Sequence, residues 1–286
     1  MSENIDIKKW WAENPMTYGD IHGKTKYANE SYDIGTPDFL HKVDQQFYKW
    51  NMPLHGDRPF EKIFPYDKYS DSAKVLEIGC GMGTMAMNWA LAGACVTAVD
   101  LNPTSIEQTK KRFEFSGLEA DIRIEDANCL SFDDDSFDYV YSWGVLHHSP
   151  NLGKSISEMF RVCRPGGGFG IMLYNRNSLW HRYMTEYIEG FLHRENEFLD
   201  PLQLASRYGD GYREEGNPHT WPVTKKEINS MLSEYSGDVD TDILGTELDG
   251  LFDMMLPGIG MILPVFIKKS WARRFGWSLW SYGHKE

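Results

Sequence analysis

The densest chemical signal in the chain is Glu77-Ile78-Gly79-Cys80-Gly81-Met82-Gly83, with Asp100 lying 21 residues beyond Gly79. Glycines on a turn from a strand into a helix permit a tight bend and let a ligand approach the backbone. The unpaired N–H groups of the first helical turn then attract an anionic group such as a carboxylate. An acid at the tip of the following strand is placed to accept hydrogen bonds from ribose hydroxyls. Together these residues predict a nucleoside ligand with a small anionic tail. A second cluster, Ser142-Trp143-Gly144-Val145-Leu146-His147-His148, and a pair, Tyr174-Asn175, sit just past two further expected strands. Imidazole titrates near neutrality and can take a proton from an alcohol or an ammonium group. His147 and His148 are therefore candidate bases, with Tyr174 as a third candidate catalytic group. Packing or helix capping is the competing reading of the histidines, and a structural turn that of Tyr174-Asn175.

These residues need a sheet edge to hold them, and the chain supplies one. From Lys74 onward short apolar runs alternate with helical stretches, the pattern of a parallel sheet with crossover helices. Strands are expected at Val75–Ile78, Cys95–Val99, Ile122–Ile124, Phe137–Tyr141 and Phe169–Leu173, and helices at Thr84–Ala92, Pro103–Ser116 and Leu152–Val162. Asn102 is an N-cap residue type and Pro103 suits the first helical turn. The expected division is a cap at 1–70, a nucleoside-binding Rossmann-like core at 71–176, and a C-terminal segment at 177–286 that caps the site and completes the sheet. Helical spacing is clearest at Asp38–Trp50 in the first flank and at 225–235 in the last. Trp10, Trp11, Tyr18 and Tyr27 before the core, with Trp180, Tyr183 and Trp221 after it, suit a water-excluding aromatic lid, ordinary core packing being the alternative for each.

The glycine spacing is Gly79-x-Gly81-x-Gly83 rather than the Gly-x-Gly-x-x-Gly usual for nicotinamide or flavin sites, which favours S-adenosylmethionine as the nucleoside. From Val75 to about Leu173 the chain resembles the class I methyltransferases, particularly the type 11 group. Four segments carry the resemblance in order: Val75–Gly83; Val99-Asp100-Leu101; Glu125-Asp126-Ala127 with Ser136-Phe137-Asp138; and Arg161-Val162-Cys163-Arg164-Pro165-Gly166-Gly167-Gly168. The resemblance implies an α/β, doubly wound, mostly parallel sheet of seven strands whose last two are antiparallel. It implies that Gly79, Gly81 and Gly83 hold the methionine moiety of S-adenosylmethionine, with Glu77 ordering the loop. Asp100 would bind the ribose, Asp126 the adenine amino group, Ala127 the ring through its backbone, and Leu101 the adenine face, with Trp143 beside the donor. The activity it implies is methyl transfer to an O, N, S or C atom of a small-molecule acceptor. A nicotinamide-dependent oxidoreductase and a nucleoside-binding module without turnover remain alternatives. Aromatic-rich flanks argue for closure over a small molecule, against the open groove that a protein or RNA acceptor needs.

Composition narrows the partners. With 29 Lys+Arg against 42 Asp+Glu the net charge is −13, which repels phosphate backbones, so nucleic acid is not expected. The four cysteines, Cys80, Cys95, Cys129 and Cys163, lack the close spacing of zinc or redox motifs and are expected to be buried thiols; no metal is called for. The first residues carry neither a basic nor an apolar stretch, so a cytoplasmic location is expected. The longest apolar run, Met254–Ile267, is short for a membrane span and holds Pro257 and Pro264. The stretch 254–280 mixes apolar residues with Lys268, Lys269, Arg273 and Arg274, a pattern that suits peripheral contact with an acidic membrane, a homodimer interface or a cap helix, the last two being preferred.

Overall fold

Strands apolar at nearly every position must be covered on both faces, as happens in a parallel sheet flanked by helices. β1 (Lys74–Ile78) is buried from Val75 onward and β2 (Cys95–Asp100) from Val96 to Val99. The two pair in parallel, Val75 opposite Val96 and Ile78 opposite Val99. β3 (Asp121–Ile124) adds in parallel to β2, and β4 (Phe137–Trp143) to the other side of β1. β5 (Cys163–Tyr174), β6 (Asp240–Leu244) and β7 (Ser278–His284) complete a seven-stranded sheet of order β3-β2-β1-β4-β5-β7-β6. β6 and β7 are antiparallel, with Asp242 opposite Trp280. The expected doubly wound, Rossmann-like architecture is therefore present, and the last two strands have their positions. The computed structural model describes residues 2–13, 33–208, 216–245 and 262–286.

Helix boundaries follow local chemistry. α1 (Ser2–Glu13) precedes α2 (Pro37–Trp50), which starts where the Thr36 side chain accepts from the Phe39 N–H and Pro37 occupies the first turn. α3 (Thr84–Leu91) springs directly from Gly83. α4 (Pro103–Ser116) has the expected cap, the Asn102 side chain accepting from the Thr104 N–H, and ends at left-handed Gly117. After α5 (Leu152–Val162) and β5 comes a π-helix, His181–Leu192, then α6 (Pro201–Tyr208). α7 (Lys225–Leu232) carries a full capping box between Thr224 and Glu227, and α8 (Val265–Phe275) leads into β7.

The chain divides into two compact units: Met1–Ser142 with Glu158–Gly168, and Trp143–Ser157 with Phe169–Glu286. In the first, fully buried Trp89 of α3 is ringed by Phe64, Tyr66, Tyr139 and Tyr141, with centroids 5.4, 4.7, 5.1 and 6.0 Å away. Aromatics preceding β1 thus supply core. Phe39, Leu40 and Val43 of α2 pack with Met82 of the glycine loop. In the second unit, Ile228 and Leu232 of α7 and Leu279 and Trp280 of β7 are buried, and the Trp280 ring meets Trp143 at 5.4 Å.

Two expectations need correction. β5 begins at Cys163, not Phe169, because the glycine run is strand. A Cβ on Gly168 would lie 2.4 Å from the Tyr69 hydroxyl and 2.7 Å from the Tyr139 ring, so the residues that read as a loop are small to admit close neighbours. Only Cys80 and Cys163 are buried; Cys95 opens a strand at its exposed end, and Cys129 lies in the turn after Asp126. Of the stretch 254–280, residues 254–261 fall outside the described residues, α8 exposes Phe266 and Trp271, and Leu279-Trp280 belongs to the buried sheet. No described helix is long and apolar enough to cross a membrane.

Candidate functional site

The first unit assembles the glycine loop at the carboxyl ends of β1 and β2. The Gly79 and Cys80 N–H groups donate to the Val99 carbonyl at 2.7 and 2.9 Å, which bends the chain away from the sheet. The Gly81 N–H donates to Asp100 Oδ2 at 2.9 Å, and the Asn102 N–H to Asp100 Oδ1 at 2.8 Å. Burial raises the pKa of Asp100, while the amides of Asn102, Gly81 and Leu101 pull it down. The same carboxylate therefore fixes the loop and sits at the tip of β2. From the other side, the Thr109 hydroxyl donates to the Gly81 carbonyl at 2.9 Å and Arg112 Nε to the Met82 carbonyl at 2.6 Å.

Two of the glycines have separate physical reasons. At Gly83, φ is +75° and a Cβ would lie 2.7 Å from Thr109 Cγ2, so the position is required for packing α3 against α4. At Gly81, φ is +53° and a Cβ would meet nothing within 4 Å. That space over bare backbone is where a ligand can approach. Glu77 beneath the loop is 2% exposed, and its Oε2 has no hydrogen-bond partner among the described residues. Burial lifts its pKa to about 8, and the charge of Asp100 pushes the same way. Across from the loop, Glu125 N–H donates to the Asp100 carbonyl at 3.1 Å, bringing the end of β3 beside that of β2. Asp126 Oδ1 accepts from the Asn128 N–H at 2.8 Å, and Leu101 and Ala127 are half-buried. The open backbone, the carboxylate at the strand tip and the orphaned buried oxygen suit S-adenosylmethionine, whose amino acid, ribose and adenine parts present complementary groups.

Arg112, Thr84, Thr109 and Asp44 were not anticipated. Arg112 is 3% exposed, and its NH1 pairs with Asp44 of α2 at 2.6 Å. The Thr84 hydroxyl also donates to Asp44, at 2.7 Å. This network ties α2 to the glycine loop, but its members lie on three separate helices and share no motif. Asn102 Nδ2 also donates to the Trp11 carbonyl of α1 at 2.6 Å. Trp10 and Trp11 form an edge-to-face pair at 4.7 Å, while Tyr18 and Tyr27 fall outside the described residues.

The second unit holds the histidine cluster. The His147 ring lies between His148, at 4.2 Å, and Tyr174, at 3.9 Å; the Tyr174 ring meets Trp277 at 4.6 Å. His147 is fully buried, and neither ring nitrogen has a hydrogen-bond partner among the described residues. Burial first, and then His148 and His219, lower its pKa well below the usual value, so the ring is neutral. His148 Nδ1 lies 3.0 Å from the His219 carbonyl and 2.9 Å from the Thr220 hydroxyl. Asn175 is a turn residue: its N–H donates to the Trp277 carbonyl at 2.6 Å, its Nδ2 to the Gly276 carbonyl at 2.9 Å, and its Oδ1 accepts from the Asn177 N–H at 3.0 Å. Trp180 and Tyr183 are partly buried in an apolar cluster with Leu179, Met184, Leu263 and Ala272, whereas Trp221 is exposed beneath Arg176. The structure brings His147, His148 and Tyr174 together. Trp143 lies against Trp280 in this unit, while the other expected donor-site residues belong to the first.

Comparison with known proteins points one way. Residues 75–167 match a family model described as a methyltransferase domain. A ubiquinone biosynthesis O-methyltransferase from Methylocella silvestris is 31% identical over 177 residues, 58% of this chain and 69% of that protein. Sterol 24-C-methyltransferase ERG6A of Gibberella zeae is 32% identical over 169 residues, 51% of this chain, which spans only 44% of that protein's length. Among solved structures, a SAM-dependent methyltransferase from Methanosarcina mazei shares the fold with a TM-score of 0.52 at 21% identity, over 78% of this chain and 98% of its own.

Proposed function

This chain belongs to the class I S-adenosylmethionine-dependent methyltransferases, and from that premise we propose that it methylates a small, partly apolar metabolite, with a hydroxyl oxygen favoured over N, S or C as the acceptor. Bound S-adenosylmethionine supplies a methyl carbon made electrophilic by its sulfonium. The rest of the chemistry falls to side chains of this chain. Gly79, Gly81 and Gly83 hold the amino acid end over open backbone, with Glu77 beneath ordering the loop. Asp100 accepts from the ribose hydroxyls, and Leu101, Asp126 and Ala127 receive the adenine.

His148 is the base, taking the hydroxyl proton as the oxygen attacks; the tilted His147 ring packs against it, with Tyr174 behind. Displacement at a methyl carbon needs a close, aligned nucleophile in a dry setting, and the buried rings around His148 suit that demand. The cluster of Trp180, Tyr183 and Met184 supports an acceptor with an apolar portion. Relatives named for ubiquinone and sterol methylation support a small acceptor of that character.

The observation that carries the donor assignment is the Gly81–Asp100 hydrogen bond combined with open space over Gly81. Calorimetric titration with S-adenosylmethionine and S-adenosylhomocysteine, with NADH as the control, tests it. Binding of both adenosyl ligands is expected in the wild type. In Asp100→Ala it weakens by about 100-fold, the loss of charge-assisted hydrogen bonds worth roughly 3 kcal/mol. Binding of NADH alone, or adenosyl binding indifferent to the substitution, overturns the assignment.

A further inference from the structure

We infer that Asn217 is a positioning residue, which holds His148 in the tautomer with the proton on Nδ1 and so makes Nε2 the basic nitrogen. The inference rests on the reading of His148 as the base and specifies which of its atoms acts. It follows from a chain of hydrogen bonds within the second unit. The His219 backbone N–H, which can only donate, reaches Asn217 Oδ1 at 3.0 Å, and this fixes that atom as the amide oxygen. The Thr220 hydroxyl lies 2.7 Å from the same oxygen and must donate to it. With its one proton committed there, the Thr220 hydroxyl can only accept from His148 Nδ1, 2.9 Å away. The His219 carbonyl, 3.0 Å from the same nitrogen, can also only accept. Both neighbours therefore demand a proton on Nδ1, and a neutral imidazole has just one.

The turn that presents these acceptors is itself built in. Asn217 is 6% exposed and Thr220 fully buried. The Asn217 N–H donates to the Ser206 carbonyl at 3.0 Å, and the Thr220 N–H to the Ser206 hydroxyl at 2.8 Å, so α6 anchors the turn at both ends. A single amide oxygen thus governs the His219 N–H and the direction of the Thr220 hydroxyl. The neighbouring His147 ring, 4.2 Å from that of His148, is held neutral by burial.

The test reads the tautomer directly and requires no acceptor. Long-range 1H–15N correlation spectra are recorded on the full chain labelled with 15N-histidine, the His148 signals being identified by their loss in His148→Gln. The wild type is expected to show a protonated Nδ1 and an unprotonated Nε2. Asn217→Ala is expected to lose that pattern for a mixture of both tautomers, while Asn217→Asp, which keeps an oxygen acceptor, retains it. S-adenosylhomocysteine binding measured on each variant verifies the fold. A wild-type proton on Nε2, an unchanged pattern in Asn217→Ala, or a lost pattern in Asn217→Asp overturns the inference. The base reading fails separately, if His148→Gln retains wild-type turnover while the tautomer pattern is as expected.

Discussion

Replacing Glu77 with glutamine turns the buried carboxyl of β1 into a group of the same shape that cannot ionise, and the penalty of burying the carboxylate becomes readable as a slope against pH. Burial, reinforced by Asp100, lifts the Glu77 pKa from 4.5 to about 8. Between those values the unfolded chain has released a proton that the folded chain keeps. Unfolding free energy therefore falls as pH rises, by about 1.4 kcal/mol per pH unit. Across the window the loss accumulates to roughly 4–5 kcal/mol, a large fraction of the stability of an ordinary domain. Glu77→Gln lacks this slope, and the titrating groups that do not interact with Glu77 are common to both proteins and cancel in the difference. Relative to the wild type, the glutamine variant should gain stability steadily from about pH 5 to about pH 8 and no further beyond. Urea unfolding of both proteins without ligand, at several pH values across that range, measures the gap. A gap that stays constant with pH refutes the reasoning, because the carboxyl would then ionise in the fold as easily as in the unfolded chain.

His147 titrates with the opposite sign: its depressed pKa gives stability that is present above the unfolded value of 6.5 and is lost as pH falls below it. His147→Phe should remove that acid-side loss in a pH series of unfolding curves while keeping the ring contact with Tyr174; a variant that remains as acid-sensitive as the wild type contradicts the buried neutral ring. Gly81→Ala and Gly83→Ala should separate binding from folding. The first meets only left-handed strain of about 1–2 kcal/mol but should weaken S-adenosylhomocysteine binding by about tenfold or more, since the methyl group fills the approach to the backbone. The second adds a clash with Thr109 and should cost about 2–5 kcal/mol in unfolding free energy. Equal stability of the two variants counts against this distinction.

The parallel half of the sheet was legible because its strands are short apolar runs and its helices carry local caps such as Asn102 with Pro103. The glycine loop was legible because strand, turn, helix and acid occur in register over 24 residues, from Glu77 to Asp100. β6 and β7 were not, since β6 is polar at Asp240 and Asp242, and 33 residues separate Leu244 from Ser278. The start of β5 was hidden for a different reason: glycine in a strand reads as loop, and the tyrosines that demand it at Gly168 come from Tyr69 and Tyr139. The residues that orient His148 lie about 70 positions downstream and include a backbone carbonyl, which no side-chain pattern can announce. Arg112 and Asp44 likewise show as ordinary helical charges until folding brings them together.

The boundary between the two units follows no single cut in the chain. The polypeptide passes from one to the other at Ser142–Trp143, back at Ser157–Glu158, and across again at Gly168–Phe169. On the ribosome, the unit that carries the glycine loop is therefore incomplete until Gly168 has emerged, although its loop and acid are synthesised long before. The same interleaving constrains engineering. A chimera meant to exchange the histidine-bearing unit for that of a relative has to graft two segments through three junctions, inside β4, α5 and β5, and a single swap from Phe169 onward would leave Trp143–Ser157, with His147 and His148, behind on the parent.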